Sequence, residues 1–558
     1  MNMEFTSAQR SLIESESGGF FEACPGAGKT QTIVERFARR GSARSRRGVA
    51  LITFTNAAAE EAQRRCTHKP ELLQAPNFVG TIDSFINRFF AAPFYKVKFR
   101  RSPTFWESWS SLDIATVQGF KGRSISLDEF RFFRGRAELS QQARRGRSPQ
   151  ECKSLEQRAF QKLKSLLKAG HLDSDTARLL AEVEIEKRTY GIGDLVSARF
   201  EEVIVDEVQD CNSADLLILN TLRDAGIRLI TVGDIDQSIY EFRGTLVSEV
   251  RDFVESGNRQ SRINTNFRSS PAICKVVDSL REGSGTDIAG GVASSCEIPV
   301  HLVGYGKISD IGPSVKSVMS QYQELSQPVF LAYKGDDAAL AAGGRAKGRL
   351  SSNKVVVLAR SCNQLLNPSS TSAKRTRALI DIGLSLQRLH PDKVLAKASE
   401  EKYLASLGLT KGAYRELCLR FAVAAGDPAG LPPSAYREKL VKAVDRLEID
   451  LNRKSLRTPA SELWIWEEAP SAEYQYVHSN IHQFKGMETD SVTLIIPHGW
   501  QTRKTLQEWR EGVGSEARRV LYVGVSRAKR LLILAVHNEH LREVKEILER
   551  DNVPLALS

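Results

Sequence analysis

GGFFEACPGAGKTQTIVERFARR, residues 18–40, is the stretch whose reading decides the fold. A short apolar segment runs into a Gly-rich turn, and the turn opens into a helical pattern, which is the order a phosphate-binding loop requires. Pro25 has no N–H to donate, so the glycines at 26 and 28 must let the remaining amides, that of Ala27 among them, close on phosphate oxygens at a helix N-terminus. Lys29 is placed to reach β- and γ-phosphates and Thr30 to hold Mg²⁺. The strict pattern has Gly where this chain has Ala23.

The partner of such a loop is an acidic pair at the end of a buried strand. VIVDEVQD (203–210) supplies it. Asp206 can bind Mg²⁺ through water, and Glu207 can polarise the attacking water. Asp210 is read as structural or coupling.

Working outward, 558 residues exceed what one core organises and imply several domains. A formal charge of +12, with a pI near 9.2, favours a polyanionic partner. The eight cysteines are scattered without zinc spacing, so free thiols and a reducing, cytoplasmic setting are expected. No run of about 18 apolar residues occurs, which argues against a membrane span. Strand-length apolar runs alternate with helical patterns: VALITFT (49–55), EEVIVDE (201–207), IRLITVGD (227–234), NKVVVLAR (353–360) and DSVTLIIP (490–497). They predict an α/β fold with parallel sheets. Two insertions, about 88–189 and 367–473, read as helical. The front of the first, 88–147, holds 13 Lys and Arg against 5 Asp and Glu, interleaved with aromatics from Phe89 to Phe133. That mixture suits a surface that tracks phosphates and stacks bases, although most of these aromatics, taken singly, read as core.

The remaining motifs resemble one family, the UvrD/Rep/PcrA helicases of superfamily 1. FTSAQ (5–9), LITFTNAAAEEAQRR (51–65), GTIDSF (80–85), VGDIDQSIYEFRG (232–244), INTNFRSSP (263–271), NIHQFKGME (480–488) and EARRVLYVGVSRAK (516–529) follow in order. The resemblance implies two RecA-like P-loop domains with parallel sheets, each carrying a mainly helical inserted subdomain. The first would be 1–87 with 190–262, interrupted by 88–189. The second would be 263–366 with 474–558, interrupted by 367–473. ATP would lie between them. By the same resemblance Gln237 senses the γ-phosphate, and Arg268 and Arg527 approach it as arginine fingers; a planar guanidinium can neutralise charge spread over equatorial oxygens. Gln9 would read adenine, Phe267 would stack on it, Glu488 beside Gly486 would grip the ribose, and Gln31 stands where an Arg usually closes the adenine pocket. Phe54, Thr55, Asn56, Thr81, Tyr240, Phe242 and His482 would contact DNA.

Asp83 stands where the family usually has His, and Ile235 where it usually has Asp. The second insertion is short for the family. This compact layout also resembles helicase subunits of phage-defence systems such as Gabija, for which the partner would be a nuclease. The reading is an ATP-dependent translocase or helicase on single-stranded or partly duplex DNA, moving 3′ to 5′. The alternative is an ATP-switched sensor of DNA ends that activates a partner enzyme without processive unwinding.

Overall fold

The computed structural model describes residues 4–42, 45–112, 114–119, 124–187, 191–239, 246–283, 285–343, 353–368, 370, 372–398, 400–458 and 476–558. Strands Gly48–Thr53, Phe200–Val205 and Arg228–Gly233 are covered on both faces, which is why they read as continuous rather than alternating apolar runs. They form the middle of a five-stranded parallel sheet in the order Gly19–Glu22, Arg228–Gly233, Phe200–Val205, Gly48–Thr53, Phe78–Thr81. The helix that follows the Gly-rich turn, Lys29–Gly41, lays Ile33, Val34 and Phe37 on one face of this sheet, against Phe21, Leu51, Ile204 and Val232. The other face is covered by an aromatic-rich core that includes Phe20, Phe85, Phe90 and Phe200.

A second sheet has six parallel strands in the order His478–Asn480, Val329–Ala332, Thr489–Ile496, Ala528–His537, Val300–Tyr305, Leu555–Leu557. Numbered by appearance in the chain, the first sheet runs 1-5-4-2-3. The second, read from its far edge, runs 6-1-5-4-2-3. The same α/β plan is used twice, with one strand added.

The chain forms two compact units. Met1–Glu107, Leu167–Arg345 and Tyr474–Ser558 make one, which contains both large sheets. Ser108–Leu166 and Ala346–Glu473 make the other. Its helices include Lys354–Leu366, Ser372–Arg388, Lys411–Ala425 and Pro433–Arg446, packed around Leu358, Phe421, Tyr436 and Leu440.

Two expectations are corrected here. NKVVVLAR is the start of the helix Lys354–Leu366 and not a strand: Asn353 caps the amides of Val355 and Val356, and Val355, Leu358, Ala359, Cys362 and Leu365 line its buried face. A run of three valines fits either element; the capping side chain and the length decide for helix. The strand expected there is supplied earlier by Val329–Ala332. The basic stretch 88–147 is likewise not simply helical. It contains the hairpins Thr116–Gln118 with Ser124–Ser126 and Phe130–Phe133 with Arg136–Leu139, the latter turning through left-handed Gly135. Phe90, Phe94, Tyr95, Trp109 and Phe130 are core, and Phe89, Phe99, Phe105, Trp106, Phe132 and Phe133 are partly covered, so the aromatics chiefly build this segment rather than face outward. Phe120 lies outside the described residues.

Candidate functional site

The Gly-rich turn leaves the end of the Gly19–Glu22 strand and enters the Lys29 helix with Gly28 as its first residue outside. Gly26 and Gly28 have φ of 71° and 69°, a left-handed backbone that glycine adopts without a Cβ penalty. At Gly26 space forbids a side chain as well, since a Cβ would lie 2.4 Å from Asn266 Oδ1 and 2.5 Å from Arg268 Cβ. Gly26 O accepts from Phe267 N at 2.9 Å. Lys29 Nζ donates to Ala23 O at 3.4 Å. Thr30 and Gln31 are half-buried in the first helical turn. Gln9 Nε2 donates to Ala27 O at 3.0 Å, and Gln9 Oε1 accepts from Thr6 N at 2.9 Å, so a capping box on the Ser7–Glu14 helix aims this residue at the turn.

Asp206 and Glu207 follow the central strand. Asp206 is buried and its Oδ1 accepts from Glu207 N at 3.0 Å. Burial first, and the neighbouring Glu207 charge second, push its carboxyl up to about 7. Glu207 sits at φ 54°, an uncommon conformation for a residue with a side chain. Burial pushes its carboxyl up too, but the charges of Lys29 and Lys485, a hydrogen bond from Gln209 and the charge of Arg527 outweigh it and hold the group below the ordinary carboxylate range. Of the adjacent pair, Glu207 is therefore the more readily ionised, the property a general base requires.

Residues of the second sheet close on this pair. Arg527 stands just before the Ala528–His537 strand, is buried, and donates through Nη2 to Gln237 Oε1 at 3.2 Å. Burial, and then the charge of Arg268, draw its guanidinium down to about 9. Gln237 is held in turn by its Nε2 on Asp234 Oδ2 at 2.8 Å, and Tyr522 OH donates to the same oxygen at 2.9 Å. Arg268 pairs through Nε with Glu488 Oε2 at 2.6 Å, and Lys529 pairs with the other oxygen of Glu488 at 2.8 Å. A cleft of about 410 Å³ lies here, lined by Gly26, Gly28, Phe267, Arg268, Glu488 and Lys529. Phe267 is 40% exposed and offers it a ring face. Gly486 turns the chain at φ 88° two residues before Glu488.

The proposed DNA residues of the first sheet occupy the ends of two adjacent parallel strands, Gly48–Thr53 and Phe78–Thr81. Thr55 caps the helix Asn56–Arg65, and Thr81 caps Ile82–Ile86. Asn56 is exposed, and Phe54 packs partly against the core. His482 is half-buried, with its ring 5.6 Å from that of Tyr333 in an edge-to-face pair. Burial, and then Lys485, keep its pKa below the ordinary value. Tyr240 and Phe242 lie outside the described residues.

A model of the UvrD/REP helicase N-terminal domain family matches residues 5–256. Residues 5–256 are thus similar to the N-terminal domain of UvrD-like helicases. DNA helicase II of Escherichia coli (strain K12) is 26% identical over 272 residues, covering 46% of this chain and 37% of that protein. ATP-dependent DNA helicase PcrA of Bacillus subtilis (strain 168) is 23% identical over 273 residues, covering 46% and 36%. ATP-dependent DNA helicase UvrD1 of Mycobacterium bovis is 38% identical over 91 residues, covering 15% and 12%. The matched region thus spans little more than a third of the first two relatives.

Against the UvrD-like pattern, the two departures acquire a setting. Asp83 pairs with Arg178, which also pairs with buried Asp215, so the residue replacing the family's His is tied into an ion-pair chain. Ile235 is a partly buried residue packed against the core of the first sheet. Sequence reading missed Arg178, Lys485 and Tyr333. Lys485 donates to both oxygens of Asp210 and to Gln237 O. Tyr333 follows the overlooked strand Val329–Ala332, and recognising VFLA as a strand is what would have exposed it. All eight cysteines are free. Among the described residues no helix is long and apolar enough to cross a membrane.

Proposed function

We propose that this protein is an ATP-dependent translocase that moves along single-stranded DNA, 3′ to 5′, and unwinds duplex ahead of it. The observation that carries the reading is the contact between Gln237 of the first sheet and Arg527 of the second, 3.2 Å apart beside the Asp206–Glu207 pair. A hydrolase needs one ionised carboxylate for water, a Lys at the β/γ-phosphates and a cation approaching from a second body; Glu207, Lys29 and Arg527 have those roles here. Glu207 accepts the proton of the attacking water. Arg527 and Arg268 meet charge that develops on the equatorial oxygens. Gln9, Phe267 and Glu488 hold base and ribose, and the amides of Ala27 and Gly28 with Lys29 hold phosphate. The cleft fits a nucleotide's chemistry: Gly26 and Gly28 line it without side chains, Phe267 gives it an aromatic wall, and its polar rim sets Arg268, Lys529 and Arg530 beside Glu488 and Asp490. Thr30 and Asp206 would hold Mg²⁺, which supplies charge neutralisation between the phosphates. Buried Asp206, raised to about 7, is the carboxyl whose ionised form such a cation favours.

Movement follows if DNA is gripped on both bodies that the nucleotide draws together. Phe54, Thr55, Asn56 and Thr81 are the grip on the first; His482 is the grip on the second. Tyr240 and Phe242 add stacking faces by sequence resemblance. The cytoplasmic setting rests on the same reading, and the nuclease partner and phage-defence role rest on compact layout. Measuring ATP hydrolysis with and without single-stranded DNA, and strand displacement on a duplex with a 3′ tail, tests the proposal. Hydrolysis that ignores DNA would refute it; stimulated hydrolysis without displacement would favour the end-sensing switch.

A further inference from the structure

In the second compact unit the helices Ser372–Arg388 and Lys411–Ala425 pack closely through one glycine. Tyr414 OH donates to Gly383 O at 2.8 Å, and a Cβ on Gly383 would lie 3.0 Å from the Tyr414 ring and 3.4 Å from Cys418 Sγ. Three hydrogen bonds set their relative direction. Asn363, near the end of helix Lys354–Leu366, bonds Asp427, just past the end of Lys411–Ala425, so those two helices finish side by side. Arg375, near the start of Ser372–Arg388, bonds the carbonyls of Asn367 and Pro368 at that same end. The helices joined at Gly383 are therefore antiparallel.

Antiparallel packing brings their next positions to one side. Leu384 follows Gly383 as Leu419 follows Cys418, and one turn away on the same faces lie Ile380 and Val423. Each of the four is exposed, at 43% (Ile380), 42% (Leu384), 43% (Leu419) and 61% (Val423). Single exposed aliphatics need no explanation, but two adjacent i,i+4 pairs over a glycine-narrowed seam make a shallow apolar groove. Its surroundings carry exposed Arg377, Arg388, Arg415 and Arg420, against exposed Glu416 and the half-buried Asp381, which pairs with Arg377 at 3.7 Å.

We propose that this groove docks an acidic amphipathic helix of a partner protein. The apolar floor asks for Leu-type residues at i, i+3, i+4 and i+7, and the guanidinium rim asks for carboxylates beside them. A second copy of this chain would bring a like-charged rim against this one. A nucleic acid would satisfy the rim and leave the aliphatic floor without a partner.

The test uses the whole chain and a fluorescein-labelled peptide of about 18 residues, with Leu at that spacing and Glu at flanking positions. Controls are the same peptide with Lys for Glu and a scrambled Glu peptide. Anisotropy should show the Glu peptide binding about tenfold or more tightly than either control. The double variant Ile380→Gln/Leu419→Gln should lose about tenfold or more of that affinity, and Arg388→Glu/Arg420→Glu should lose a similar amount. Both variants alter exposed positions, so melting temperature and DNA-stimulated ATP hydrolysis should stay at the parent's values. Failure of the Glu peptide to bind, equal binding of the scrambled peptide, or unaltered binding by Ile380→Gln/Leu419→Gln would overturn the proposal. Displacement of the peptide by duplex DNA whose own binding the variants abolish would reassign the groove to nucleic acid. Self-association of the parent that Ile380→Gln/Leu419→Gln removes would reassign it to a second copy.

Discussion

Lys485 Nζ donates to both carboxylate oxygens of Asp210, at 2.7 and 2.8 Å, and to Gln237 O at 3.0 Å. The pair joins the loop after the strand Phe200–Val205 to the loop that carries His482, and both side chains are almost wholly buried. Lys485→Met would remove the buried cation that pairs with Asp210, which costs about 3–5 kcal/mol. The paired change Lys485→Met/Asp210→Leu should recover much of that stability. It should not recover stimulation of hydrolysis by DNA, because the cation linking Gln237 to the His482 loop is gone. Chemical denaturation and stimulated ATPase on the single and double variants check both halves. Full stimulation in the double variant would make the pair purely structural.

Lys29→Ala and Glu207→Gln should each abolish DNA-stimulated hydrolysis, by different routes. Without Lys29 the phosphates lose their cation, and ATP affinity should fall with the rate. Glu207→Gln keeps the shape and loses only the ionised base, so nucleotide should bind as tightly and hold the protein on DNA. Nucleotide binding by fluorescence, set beside steady-state hydrolysis, separates the two. Wild-type turnover in either variant would remove that residue from the site.

Arg527 and Arg268 should differ. Arg527 touches Gln237 and lies near Glu207, so Arg527→Lys, which keeps a charge but loses the planar fork, should lower kcat by about 10³ or more with KM for ATP changed little. Arg268 also orients Glu488 through a 2.6 Å bond, so Arg268→Ala should lower kcat and raise KM together. A change in KM alone for Arg527→Lys would make that residue a ground-state clamp.

Arg36 and Glu202 form an ion pair with both side chains fully buried, at 2.7 Å, behind the phosphate loop. Arg36 also donates to the carbonyls of Leu12, Ile13 and Ser15, which ties the N-terminal helix carrying Gln9 to the sheet. Glu202→Gln should cost about 3–5 kcal/mol of stability by removing the buried carboxylate that neutralises Arg36 and also pairs with Arg228. Hydrolysis per folded molecule should persist at a temperature where the variant remains folded. Calorimetry and ATPase on one preparation decide this.

Much was legible along the chain because some of its structure is local. Gly26, Gly28 and Lys29 are consecutive, and a turn into a helix N-terminus depends on the φ angles and amides of those few residues. The strands ending at Thr53, Val205 and Gly233 were readable because a strand buried on both faces must be apolar at every position. NKVVVLAR was misread because three valines carry no period; the capping Asn353 and the helix partners of its buried face decide it. Other relations belong to the tertiary structure alone. Gln237 and Arg527 are 290 residues apart, and Asp210 and Lys485 are 275 apart, so spacing says nothing of their meeting, and resemblance alone suggested the first of these contacts. Nor could spacing say that Asp83 faces Arg178, or that Asp206 and Glu207, adjacent and alike in sequence, are pushed to opposite protonation tendencies. Burial acts on both carboxyls, but only Glu207 is overcompensated by cations brought from elsewhere in the fold, and the field of a distant charge exists only once the chain has packed.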